Sequence, residues 1–262
     1  MMNKPLYIHV PFKMLPEKLP LIAQHRVNVE ILFNANYLDN PSPETEARVR
    51  NFLAAEGLGC TFHGPFMDLS PGAFDLRIRE VTLQRFMRVL DIAKDFGPKV
   101  IVLHPGYDDL RFGEAKDRWL ENSFRTWEAV LAEAEKYKLN IALENIFDKT
   151  PEMLLRLMQH FSSPYFGHCL DIGHFNIFAN YDLQKWLDEM GPYLKEMHLH
   201  DNHGQQDEHL APGEGKIDFP FLLSQLSKRK LSPALTIEAH NQEHALLAIE
   251  RVSKFLGNYM TL

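Results

Sequence analysis

Short apolar segments alternate with amphipathic segments along the whole chain, and this alternation restricts the fold more than any other feature. Periodicity and β-branched content predict strands at 6–10, 27–33, 59–63, 100–104, 139–144, 166–171, 194–199 and 234–238. Helices are predicted at 16–25, 77–96, 119–137, 183–189, 219–226 and 244–255. Two more helices are predicted to begin at the capping residues Ser42 and Thr150, the second with Pro151 at its first position. The chain is therefore predicted to repeat one strand and one helix eight times.

This repeat predicts the α/β class and a single (β/α)8 TIM barrel that takes up residues 1–262 as one domain. The length of 262 residues agrees, because barrels of this kind typically have about 250. A doubly wound open sheet is the alternative fold. In a barrel, the functional side chains are expected at the carboxyl ends of the strands.

The composition narrows the classes of partner. The formal net charge is −7, with 28 basic against 35 acidic residues and no basic run, which disfavours nucleic acid without excluding it. No apolar run reaches the roughly 18 residues that a membrane span needs. Residues 1–5 lead into a strand without a signal-peptide pattern, so a cytoplasmic location is expected. Cys60 and Cys169 lack metal-ligand spacing and are expected to be buried.

Chemically active side chains close most of the predicted strands, as the barrel requires. The strand ends carry His63, His104, Glu144, Asp171, His198 and Glu238. A single histidine after a strand is usually a hydrogen-bonded core or surface residue, so the argument depends on the recurrence. Oxygen and imidazole ligands gathered at strand ends predict a metal site assembled from several strands and loops.

The segment 197–215 is the densest part of this pattern, with histidines and aspartates directly after a predicted strand. Asp207 and His209 are separated by one residue, which places both side chains on one side of an extended segment. Asp171 and His174 are separated by two residues and can converge on one centre. The sequence around Gly213 and Gly215 fits either backbone amides that approach an anion or a plain turn.

Taken together, these segments resemble the xylose isomerase-like TIM-barrel superfamily over nearly the whole chain. The matching motifs are His63-Gly-Pro-Phe66, Leu103-His-Pro-Gly106, Leu143-Glu-Asn145, Leu170-Asp-Ile-Gly-His174, Met197-His-Leu-His-Asp201, Asp207-Glu-His209 with Gly213-Glu-Gly215, and Ile237-Glu238. The superfamily contains sugar phosphate isomerases and epimerases, and also the apurinic-site nucleases of the endonuclease IV type.

The epimerase branch implies one divalent metal ion (Mn, Zn, Mg or Co), with ligands Glu144, Asp171, His198 and Glu238. The resemblance implies that Glu144 and Glu238 also act as general base and acid. His63, His104, His174 and His209 would then bind the substrate, which would be a small sugar, sugar phosphate or related polyol. A homodimer is expected only by analogy with the fold.

The nuclease branch implies three zinc ions and a phosphoester hydrolase. Glu144 would bridge two ions, His63 and His104 would complete one, Asp171, His198 and Glu238 a second, and His174, Asp207 and His209 the third. The acidic balance and the lack of a basic, aromatic-bearing insertion disfavour this branch. Phe66 lies where such a wedge could stand, although loop packing explains it equally well. A non-catalytic sugar- or metal-binding barrel is the remaining alternative.

Several other residues near these motifs have a simpler expected role. His9 and Glu30 end the first two strands and are expected to line the pocket. His200, His203 and His240 are expected to support ligands or to lie in loops. The three tryptophans fall at apolar helix positions and are expected to pack against the barrel; they are Trp119, Trp127 and Trp186.

Overall fold

Eight parallel strands pair in chain order and close into a barrel in the computed structural model, which describes residues 6–259. They are β1 Leu6–Pro11, β2 Asn28–Leu32, β3 Cys60–His63, β4 Ile101–Leu103, β5 Ile141–Glu144, β6 Phe166–Asp171, β7 Leu194–Leu199 and β8 Ala234–Ile237. Closure is made where β1 pairs with both β2 and β8, with Ile8 beside Ile237. This pairing confirms the predicted barrel and rules out the open sheet.

Helices cover the outside of the barrel. They are α1 Leu15–His25, α2 Ala35–Asp39, α3 Pro43–Glu56, α4 Leu76–Phe96, α5 Asp109–Phe112, α6 Lys116–Tyr137, α7 Glu152–Phe161, α8 Ile172–Phe178, α9 Leu183–Met190, α10 Phe219–Lys228 and α11 Gln242–Tyr259. None of the helices within residues 6–259 is long and apolar enough to cross a membrane.

The two faces of the strands have different roles. Outward side chains join the helices in one large core, in which Trp119, Trp127 and Trp186 are fully buried as expected. Inward side chains between β4 and β6 are small and apolar and form a second cluster of Val100, Val102, Ala142 and Cys169. Because successive strand residues alternate between faces, residues two positions further along β5 and β6 point into the barrel mouth.

The predicted helix termini lie within four residues of the observed ones, the short helices α2, α5 and α8 were not predicted, and the predicted cap of α7 is wrong. Ser42 caps α3 as predicted, because its side chain accepts a hydrogen bond from the amide of Thr45. The cap of α7 is Pro151, not Thr150, and α7 begins at Glu152. Pro151 has ψ 0°, outside the helical range, while its carbonyl already accepts the first helical hydrogen bond from Leu155 at 2.8 Å. The prediction was one residue early.

Candidate metal centre

The carboxyl ends of six strands bring their ligand-type side chains to one mouth. His63, Glu144 and Asp171 end their strands, His104 and Glu238 directly follow theirs, and His198 is the next-to-last residue of β7. Their donor atoms form overlapping groups in which the atoms lie within 4.8 Å of one another, among them His63–His104–Glu144 and His63–His198–Glu238. The sequence-predicted ligands therefore form one continuous cluster.

His198 lies at the centre of the predicted four-ligand set. Its Nδ1 atom is 3.4 Å from Glu238 Oε1, 3.6 Å from Glu144 Oε2 and 3.7 Å from Asp171 Oδ2. This Nδ1 is buried and has no hydrogen-bond partner among the described residues. Metal–ligand distances of about 2.0–2.2 Å put donors that share one ion about 3–3.6 Å apart. The spacing and the unpartnered nitrogen fit a bound cation.

A second group forms around the carboxylate of Glu144. His63 Nε2 and His104 Nε2 each lie 3.1 Å from Glu144 Oε2. His63 Nδ1 donates to the carbonyl of Gly64 at 2.8 Å, so the Nε2 of a neutral His63 holds a lone pair against the carboxylate. A proton or a cation must lie between these two atoms. Without a metal, burial lowers the pKa of His63, but Glu144 outweighs it and raises the pKa to about 9.

Glu144 carries the negative charge that a metal ion at this position would need. Burial alone would raise the pKa of this carboxyl, but His104 and His198 hold the pKa well below its usual range. Glu144 is therefore an anion inside the barrel, with only 2% of its side chain exposed. A buried anion in contact with several imidazoles is the charge arrangement that a divalent ion stabilises.

A third group closes the mouth on the side of β7. Asp207 Oδ2 lies 3.4 Å from His174 Nε2 and 3.0 Å from His209 Nε2. His209 has φ 49°, a left-handed conformation that is uncommon outside glycine, and its ring stacks on that of His200 with centroids 3.9 Å apart. All nine residues predicted from the resemblance therefore meet at this mouth. Their mixture of oxygen and imidazole donors suits Mn²⁺, Co²⁺ and Zn²⁺. Mg²⁺ fits less well, because it prefers oxygen ligands.

The three histidines that were expected to support ligands or to lie in loops differ in how deeply they are buried. His200 is fully buried, and its Nε2 contacts Asp171 Oδ1 at 3.0 Å and Oδ2 at 3.1 Å. Its ring occupies the space where a Cβ at residue 173 would stand, so Gly173 is needed for this contact. His203 lies outside the cluster, is half exposed and pairs with Glu208, while His240 is exposed and stacks on His209.

Glu30 and Asp201 have buried supporting positions that the sequence did not reveal. Glu30 was expected to end its strand and to line the pocket, but it is the middle residue of β2, and its side chain has no exposed surface and lies between His9 and His198. Asp201 is also fully buried and accepts hydrogen bonds from the amides of Gly213, Gly215 and Ile217, among others. The glycine segment is therefore a turn folded on the protein's own carboxylate, and the anion-binding alternative is wrong.

An aromatic ring and a pair of hydrogen bonds complete the mouth. The ring of Phe66 stacks on that of His104 with centroids 4.5 Å apart and an interplanar angle of 17°. Asn145 accepts from the amide of Asp171 and donates to its carbonyl, both at 2.9 Å, which ties the ends of β5 and β6 together. These contacts hold the ligand residues of neighbouring strands in fixed relative positions.

The chain matches known proteins over most of its length. The model of a family described as a xylose isomerase-like TIM barrel matches residues 28–259. The uncharacterized protein MJ1311 of Methanocaldococcus jannaschii is 32% identical over 201 residues, which are 74% of this chain and 69% of MJ1311.

Solved structures share the same architecture. Superposition of this chain on the crystal structure of a D-tagatose 3-epimerase-like protein gives a TM-score of 0.85. The match spans 97% of each chain, with 26% sequence identity. The TTHB071 protein from Thermus thermophilus, soaked with ZnCl2, has a TM-score of 0.82 and 22% identity and covers 98% of this chain and all of that one (100%). Because the sequences are only 22% identical, the similarity to TTHB071 shows a shared fold and nothing further.

Proposed function

The chain belongs to the xylose isomerase-like TIM barrel family, and from that premise we propose that it is a divalent-metal-dependent isomerase or epimerase. The proposed substrate is a small sugar, sugar phosphate or related polyol. The observation that carries the proposal is the unpartnered Nδ1 of His198, surrounded by the carboxylates of Glu144, Asp171 and Glu238 at 3.4–3.7 Å. The likeness to a D-tagatose 3-epimerase-like protein supports the same class of reaction.

In the proposed chemistry, a bound divalent ion would polarise two neighbouring substrate oxygens and make the C–H bond between them more acidic. Glu144 ends β5 and Glu238 directly follows β8, and β6 and β7 lie between these two strands, so the two side chains approach the mouth from different sides. One of the two groups, as a carboxylate, would take the proton from carbon, and the other, as the protonated acid, would donate its own proton to the opposite face, which inverts the carbon centre. Return to the neighbouring carbon gives an isomerase instead.

Other side chains at the mouth would orient the substrate. His104, His174 and His209 are buried with a small exposed part, 16%, 12% and 12% of their side chains, which is enough to contact a bound hydroxyl. Phe66 would cover the apolar face of a carbon chain, since its ring stacks on His104. The buried position of the carboxylates keeps water away from the proton transfer.

A second candidate is phosphoester hydrolysis by a cluster of two or three zinc ions. The convergence of all nine predicted ligands favours it, in particular the shared contact of His63 and His104 with Glu144 Oε2. In that reaction Glu144 would bridge ions and could not transfer a proton. The number of ions per chain therefore separates the two candidates.

The test is exchange of substrate C–H for solvent deuterium, measured by NMR on a panel of ketoses, aldoses and their phosphates with protein loaded with Mn²⁺, Co²⁺ or Zn²⁺. Metal-dependent exchange with formation of an epimer or isomer is the expected result. Cleavage of a phosphate diester by protein that holds two or three ions would replace the proposal with hydrolysis. Sugar binding without exchange would indicate a binding protein.

A further inference from the structure

Glu30 is a buried carboxylate that the proposed reaction does not use. It lies on β2, away from the strands that supply the four predicted ligands, and its side chain has no exposed surface. A substrate at the mouth therefore cannot touch it. Its two oxygens contact two histidines: Oε1 is 3.1 Å from His198 Nε2, and Oε2 is 2.6 Å from His9 Nδ1.

The contact with His198 determines which nitrogen of that ring can bind a metal. A carboxylate only accepts hydrogen bonds, so the Nε2 of His198 must carry the proton that it donates to Glu30. The lone pair of a neutral ring is then on Nδ1. That atom is buried, has no hydrogen-bond partner in the described part of the chain, and points at Glu144, Asp171 and Glu238.

The contact with His9 extends the network to the fourth ligand. His9 Nδ1 lies 3.3 Å from Glu238 Oε1 as well as against Glu30. Glu30 thus links β1 and β2 to a ligand on β7 and, through His9, to the ligand that follows β8. Metal-binding histidines commonly donate their second N–H to a carboxylate, which orients the ring.

We propose that Glu30 is a positioning residue that holds His198 with its proton on Nε2 and its lone pair on Nδ1, and so raises the affinity of the site for a divalent ion. The inference rests on the proposed metal dependence. It extends the site to the first two strands of the barrel. Loss of such a partner typically lowers metal affinity by about 10–100-fold.

The test is the affinity for Zn²⁺ alone, measured in competition with a chromophoric chelator, for the wild type and three variants. Glu30→Leu removes the acceptor at similar size and is expected to bind Zn²⁺ about 10–100-fold more weakly. Glu30→Gln keeps an amide oxygen that can accept from Nε2 and is expected to recover part of the loss. Glu196→Leu is the matched control, because Glu196 is equally buried but hydrogen-bonds Thr61 and Thr236 instead of a site histidine.

A second measurement needs no variant and covers the case in which Glu30→Leu does not fold. In Zn²⁺-loaded protein labelled with ¹⁵N-histidine, His198 is expected to keep a proton on Nε2 and to bind the ion through Nδ1. Binding through Nε2, unchanged affinity in Glu30→Leu, or an equal loss in Glu196→Leu would each overturn the role of Glu30. A wild type without Zn²⁺ affinity would overturn the proposed function as well, whereas tight binding without C–H exchange would overturn the proposed function alone.

Discussion

The two flanks of the barrel mouth differ in how closely their histidines approach carboxylates. On the flank of β3 and β4, His63 and His104 lie at hydrogen-bond distance, 3.1 Å, from a single oxygen of Glu144. On the flank of β6 to β8, His198 Nδ1 is separated from three carboxylates by 3.4–3.7 Å. The distances on both flanks are close to those between donors that share one ion, but the second flank offers more anionic ligands.

This difference bears directly on the number of ions. On the first flank one carboxylate faces two imidazoles. A proton on one imidazole therefore balances the charge of the carboxylate as well as a metal ion would. The second flank gathers three carboxylates around one nitrogen. Burial lowers the pKa of His198, but the surrounding anionic groups outweigh it and raise the pKa, so either a protonated His198 or a bound cation offsets the repulsion between the carboxylates. The flank of His198 is therefore the first place where we expect an ion to bind.

The largest effect is expected from Glu144→Gln, because Glu144 belongs to both flanks. The amide keeps the size of the side chain but cannot accept a proton or supply an anionic ligand. Turnover is expected to fall by at least about 10²–10⁴-fold, the usual contribution of a general acid or base. Steady-state kinetics measure the loss, and circular dichroism checks that the barrel is folded. Near-normal activity would refute the assignment of this site.

The next prediction compares one histidine from each flank. His198→Asn is expected to weaken Zn²⁺ binding by more than about 100-fold, beyond the usual loss from an outer partner of a ligand. His104→Asn is expected to weaken binding of the first ion by less than about tenfold, since it removes no member of the four-ligand set. Isothermal titration calorimetry gives both affinities and the number of ions. Equal losses, with more than one ion per chain, would support the hydrolase.

A smaller effect is expected from Gly173→Ala, which tests the support of the second flank. A Cβ at this position would overlap His200 Cε1, so the imidazole must move and its contact with Asp171 must lengthen. We expect about tenfold weaker metal binding, at the lower end for loss of a ligand's partner. Overpacking costs about 1–3 kcal/mol of unfolding free energy. Gly257→Ala is the control, since nothing lies within 4 Å of its added Cβ.

Much of the fold and many of the candidate ligands could be predicted because both depend on local sequence. Strand alternation places every second side chain on the inner face, so a polar residue that closes an apolar segment points into the mouth. His63, Glu144 and Asp171 were placed at strand ends in this way, and each does end its strand. The family resemblance and the barrel are confirmed, while the roles of the ligands remain predictions.

Remote partners account for what the sequence did not reveal. Asp201 folds the turn of Gly213 and Gly215, more than ten residues away, through backbone amides that carry no sequence signal. Helix α8 was not predicted because it has only seven residues and begins at Ile172, directly after the strand that ends at Asp171. Asp171 Oδ1 accepts from the amide of His174 at 2.7 Å, so the predicted ligand also caps a helix.

The smallest effect is expected from His203→Ala, although His203 belongs to the same dense segment as His198 and His200. Its side chain is 53% exposed and pairs with Glu208 at 2.9 Å, outside the ligand cluster. Exposed ion pairs contribute about 0–1 kcal/mol, so the melting temperature and kcat/KM are expected to stay close to the wild-type values. A loss of kcat/KM above about tenfold, or about 1.4 kcal/mol of transition-state stabilisation, would show that substrate reaches the loop after β7. The substrate-binding site would then extend beyond the two flanks and would include the pair of His203 and Glu208.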